Sequence, residues 1–232
     1  MPTALLAVAA ALLYLAASGL QLLHLSQNRP QVSRPVLGMG LVALLCHAIV
    51  AWDSITSSAG LNLGFYKVSA LIFLVVNVAC IVTLFRRPLQ NLLVALFPLS
   101  AIAVLVSTFG PDTALVQGDM GLGLGLHIGS SILAYSVLTM AAVQAAIVAM
   151  QDHQLRHRHT RGIVRVLPPL QLMETMLFEL LWVGVILLTI AIGSGVIFME
   201  DMFAQALVHK TVLTIVAWVL FSVLVWGHYQ LG

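Results

Sequence analysis

LGLGLHIGSSILAYSVLTMAAVQAAIVA, residues 122–149, holds no Asp, Glu, Lys or Arg and, at about 1.5 Å per residue, outreaches the roughly 30 Å hydrocarbon core of a bilayer. Hydrocarbon offers no partner to an open backbone N–H or C=O, so a segment of this composition is a helix. Further apolar runs of near-spanning length fall at 3–25, 35–57, 63–85, 89–108, 172–198 and 205–228, making seven spans. Across 232 residues the chain is 61% hydrophobic and 8% charged, against about 25% charged in soluble domains. Long unbroken runs fit helices rather than the alternating strands of a barrel. The fold class is therefore all-α, a polytopic transmembrane bundle forming one integral-membrane domain over residues 1–232. The first run lacks a basic flank and is too long for a signal-peptide core, so it reads as a retained span. The sequence stops directly after the seventh run, an ending expected of a truncated version of a longer protein, with an eighth helix to follow.

Charge alternates between the connections. Arg29 and Arg34 lie in the first, Arg86 and Arg87 in the third, and Arg156, Arg158, Arg161 and Arg165 in the fifth. The even connections hold Asp53 near a helix end with Lys67 beyond it, then Asp112 and Asp119, then Glu200 and Asp201. The positive-inside rule makes the odd connections cytoplasmic and puts the N-terminus outside. The longest of them, 151–169, is a basic cytoplasmic loop whose HQLRHRH spacing, with His153, His157 and His159, fits a metal-binding tract. A solvated charge cluster beside anionic headgroups explains the same residues with fewer assumptions. Pro168 and Pro169 then break the chain before an amphipathic start that places Glu174 and Glu179 at the interface. Cys46 and Cys80 fall at different depths and read as packing residues rather than a disulfide. A formal net charge of +2 gives no case for nucleic acid as a partner.

Ionisable residues inside a bilayer are costly, so the histidines carry the functional information. His127, Ser131 and Tyr135 recur at i, i+4 and i+8, a stripe that should face protein or a cavity. Glycines at 121, 123, 125 and 129 remove bulk around His127, which suits a neighbouring helix or a flat macrocycle; Gly125 and Gly129 also form a GxxxG, a close-packing motif. His209 leads the seventh span at a depth similar to that of His127, which lies about 9 Å into its helix. Two imidazoles at one depth suit the two axial positions of a haem iron, and equally two interfacial hydrogen-bonding histidines. His47, about 18 Å into the second span, is the deepest. His24 and His228 fall at cytoplasmic helix ends, where they form a second pair or snorkel. There is no CxxCH, Walker loop, zinc-protease motif or Ser-His-Asp signature.

The runs GLHIGSSILAY (125–135), VILLTIAIGSG (185–195) and HKTVLTIVAW (209–218), the closing WGHY (226–229) and the Cys46-His47-Ala48 step together resemble the cytochrome c assembly superfamily. That superfamily includes the CcsA-, CcmC- and HemX-like proteins, and the resemblance is greatest to the YpjD/HemX-like inner-membrane group. It covers nearly the whole chain and implies a multi-pass bacterial inner-membrane protein that binds haem b and takes part in cytochrome biogenesis or haem-protein maturation. By position His127 is similar to an outward-facing axial histidine, and His228 to the histidine closing a late helix. Two features of the superfamily are missing: the tryptophan-rich outer loop, since 198–208 has no tryptophan, and a helix after the seventh. Direct attachment of haem to an apocytochrome is therefore not expected.

These lines give the expectation of noncovalent haem b near the outer leaflet, with His127 and His209 as iron ligands, His47 or His228 as alternatives, and Ser131 and Tyr135 orienting an imidazole or propionate. Its partners would be other membrane proteins of cytochrome biogenesis, or a membrane client, within the lipid bilayer. A haem-free scaffold subunit docking through small-residue helix faces is a second reading. A transporter relaying protons through His47 is a third, weakened by the absence of Gly/Pro-interrupted helices recurring in the two halves.

Overall fold

The computed structural model describes residues 2–29, 31–57, 60–84, 87, 89–110, 115–116, 121–157, 166–198 and 208–231. Seven helices among them are long and apolar enough to cross a membrane: α1 (Pro2–Ser26), α2 (Arg34–Ile55), α3 (Phe65–Leu84), α4 (Leu92–Phe109), α5 (Leu122–Arg156), α6 (Leu170–Phe198) and α7 (Val208–Leu231). The protein is an all-α polytopic bundle. Three very short strands, β1 (Thr56–Ser57), β2 (Gly60–Asn62) and β3 (Leu115–Val116), pair antiparallel in that order in the connections. Arg86, Asp112, Asp119, Arg158, His159, Arg161, Arg165, Glu200 and Asp201 lie outside the described residues.

The chain divides into two compact units. One comprises residues 1–118 and 143–173, and in it α1 packs on α2 and α4 while α3 packs on α4 and α2. Alanines on one face of α1, at 7, 10, 11 and 17, let these helices approach closely. Pro98 sits inside α4 and supplies no N–H to the carbonyl of Val94 one turn earlier; Ser18 of α1 donates its hydroxyl to that carbonyl at 2.9 Å. At the far end of α4, the Lys67 ammonium donates to the Ser107 carbonyl. The Cys46 and Cys80 thiols are both free.

The second unit comprises residues 119–142 and 174–232. Its helices interlock where glycine leaves room: a Cβ at Gly123 would collide with Phe198, and one at Gly184 with Leu138. With 127 facing 191 and 138 facing 184, α5 and α6 run antiparallel. Pairs 189/218 and 178/228 make α6 and α7 antiparallel as well.

Candidate functional site

His127 lies one turn into α5, on the face that meets α6. Its Nδ1 is 2.8 Å from the Ala191 carbonyl oxygen. A carbonyl can only accept, so Nδ1 carries the hydrogen, and in the neutral ring Nε2 is left as an unprotonated lone pair. A histidine bound to a metal is held in this way, its second nitrogen donating to a backbone carbonyl that fixes tautomer and ring orientation. Ala191 also accepts from Ser194 at 3.0 Å, so the carbonyl is anchored from its own helix.

The expected stripe along α5 divides between two neighbours. Four residues turn a helix by about 40° beyond a full circle, so Tyr135 stands about 80° round from His127. It reaches α7, where its hydroxyl is 3.3 Å from Thr214 Oγ1, and it is 45% exposed. Ser131 is half-buried between them; the inward hydroxyl is that of Ser130, which donates to the Leu126 carbonyl at 2.7 Å. The glycines divide too. Gly123 shares the His127 face and is covered by Phe198, whereas Gly125 and Gly129 lie about 160° away and have open space where a Cβ would stand. The glycine-lined slot is therefore not on the histidine's side of α5.

His209 is exposed in the first turn of α7. Continuing the α6–α7 pairing residue by residue sets it opposite about Phe198, the side chain that covers Gly123, so it lies within about one turn of the level of His127. The structure brings the two to the same end of one unit, and no ring contact joins them among the described residues. His228 is at the other end of α7, stacked on Phe178 with ring centres 3.6 Å apart and planes 5° from parallel.

His47 belongs to the other unit and is 0% exposed. Its Nδ1 is 3.3 Å from the Tyr14 hydroxyl, the rings meet edge to face, and Phe97 packs on Tyr14. Nε2 makes no hydrogen bond to a described residue. Nearby, Asn77 donates to Ser100 at 2.8 Å. This closed polar knot ties four helices together. Sequence reasoning singled out the depth of His47 but not Tyr14, Asn77 or Ser100, whose partners are 23 to 33 residues away. It also missed the bond from Trp218 Nε1 to Thr189 Oγ1, 2.8 Å, although both residues stand in the runs that carried the resemblance.

Among the described residues no three His, Cys, Asp or Glu side chains gather to hold a metal ion. A haem needs fewer protein donors. Residues 37–232 match the family described as cytochrome c assembly protein. The chain belongs to that family. It is 31% identical over 194 residues to the inner membrane protein YpjD of Escherichia coli K12, covering 83% of this chain and 73% of that protein. It is also 30% identical over 124 residues to an uncharacterized 28.8 kDa protein of Azospirillum brasilense, covering 53% of this chain and 46% of the other. No solved structure matches. This cytochrome c assembly family member is thus a multi-pass inner-membrane protein. The matched residues include His47, His127, His209 and His228, while Tyr14 precedes them.

Proposed function

We propose that this member of the cytochrome c assembly family binds haem b noncovalently, that His127 and His209 would hold its iron, and that it serves cytochrome c-type biogenesis. The observation that carries the reading is the bond from His127 Nδ1 to the Ala191 carbonyl, which leaves Nε2 as a free donor on a half-buried ring. Haem, when bound, supplies an iron with two axial positions for imidazole. The protein's part is to fix the tautomer of His127, to hold α7 beside α5 and α6 through Tyr135–Thr214 and Trp218–Thr189, and to keep the macrocycle in a largely apolar setting. His47 does not share this arrangement: its Nδ1 is engaged by Tyr14 and it is closed off in a packed core.

The test is the absorption spectrum of the detergent-purified protein before and after loading with haemin. The expected result is a Soret band with split visible bands on reduction, lost in His127→Ala and partly restored by added imidazole. His209→Ala should shift the spectrum toward a five-coordinate iron. Failure to load any pigment, or a spectrum untouched in both variants, overturns the reading; a colourless protein that copurifies with another membrane protein would establish the scaffold role instead.

A further inference from the structure

The end of α5 carries a pair of histidines that the haem reading does not use, His153 in its last turn and His157 just beyond Arg156. His153 and His157 stand at i and i+4, both exposed, with ring centres 4.3 Å apart and planes inclined by 39°. With metal–nitrogen bonds of about 2.0–2.1 Å and an angle at the ion of roughly 90–110°, two imidazole ring centres lie about 4.5–5 Å apart. The observed separation is within about half an ångström of that.

The hydrogen bonding leaves ring nitrogens available to an ion. His157 Nδ1 is 2.8 Å from the His153 carbonyl, which also accepts the His157 backbone N–H at 3.2 Å. That nitrogen is therefore the donor, and Nε2 of the neutral ring is left as a lone pair. No hydrogen bond engages the His153 ring among the described residues. The adjacent cation is compensated: Arg156 pairs with Asp152 at 2.9 Å, so its guanidinium does not confront an incoming ion with an unpaired charge. The bond from the His157 N–H to the His153 carbonyl continues the helical pattern by one residue and keeps the two side chains about one turn apart, so little ordering is required on binding.

We propose that His153 and His157 chelate a divalent first-row transition ion of the nickel, copper and zinc class, with solvent completing its coordination. Imidazole pairs select these ions over calcium or magnesium, which take oxygen ligands, and copper binds tightest in the usual order. Nothing in this site depends on haem or on the His127 end of the protein.

Titration of the EDTA-stripped full chain in detergent with Ni2+ or Cu2+, followed by calorimetry, tests it. One ion per chain is expected, with the affinity falling at least tenfold in His153→Ala and in His157→Ala and further still in the double variant. His24→Ala, which removes a histidine that belongs to neither proposed site, should bind as the parent does. Copper electron paramagnetic resonance should show coupling to two imidazole nitrogens in the parent and one in either single variant. Unchanged affinity in the double variant, or no binding by the parent, overturns the site. Retention of secondary structure by circular dichroism in each variant excludes misfolding as the cause of a loss.

Discussion

At the scale of single residues, what a glycine does depends on which face of its helix it occupies, and the composition of α5 hides this. Gly123 and Gly125 are two residues apart, yet a Cβ at 123 meets Phe198 whereas one at 125 meets nothing within 4 Å. The obstruction at 123 includes the Cβ of Phe198, which no change of rotamer can move. Gly123→Ala should therefore destabilise the protein by about 1–3 kcal/mol through overpacking. Gly125→Ala should be neutral or stabilising by up to about 1 kcal/mol, because alanine is the better helix former. Unfolding titrations in mixed micelles measure both, and Phe198→Gly, which removes the Cβ as well as the ring, should relieve most of the cost at 123 in a double-mutant cycle. Equal effects at the two positions would mean that the glycines act through backbone flexibility rather than through contact.

At the scale of helices, the proline in α4 is tolerated because another helix repairs it. Pro98 removes the donor that Val94 would have used, and Ser18 supplies a replacement from α1. Ser18→Ala should leave a part-buried carbonyl unpaired in an apolar setting and cost about 1–3 kcal/mol. With Pro98→Ala already present, an N–H is again available to Val94 and the same serine substitution should cost well under half as much. The measurement is a double-mutant cycle on unfolding free energy, and additive effects would dissociate the two residues. The same helices show what the sequence could and could not disclose. The apolar runs located all seven spans to within a few residues, because exclusion of charge over some twenty positions is a constraint imposed by the bilayer itself. The end of α5 was placed at 149 because polarity begins there, whereas the helix continues to Arg156, supported by the i, i+4 pair of Asp152 and Arg156. Interhelical partners were not legible: lipid-facing and protein-facing surfaces are both apolar, so periodicity does not say which side of a span is buried. For that reason the stripe of His127, Ser131 and Tyr135 was read as one surface when it serves two, and the depth of His47 was visible while its closure by Tyr14 was not.

At the scale of the whole molecule, the distribution of charge makes a prediction about orientation. Eight of the ten basic residues fall in connections one, three and five. Of the remaining two, Lys67 donates to the Ser107 carbonyl in the last turn of α4, a position where a cation favourably terminates a helix dipole. It therefore has a structural partner of its own, and the charge left to set orientation is more lopsided than the bare count. A basic residue beside an anionic leaflet contributes on the order of 1 kcal/mol, so the imbalance favours one topology by several kcal/mol. Alkaline phosphatase fused after Asp112 or Asp201 should be active outside the cytoplasmic membrane, whereas green fluorescent protein fused after Arg87 or Arg161 should fluoresce inside. This orientation puts the N-terminal ends of α5 and α7, with His127 and His209, toward the outer face, and the His153–His157 end of α5 toward the cytoplasm. Haemin supplied to right-side-out and to inverted vesicles would then reach the His127 end from opposite compartments, and pigment should load faster in the right-side-out preparation. The reverse fusion pattern would exchange the two compartments, so that haem would be met on the cytoplasmic side and transition ions on the outer one.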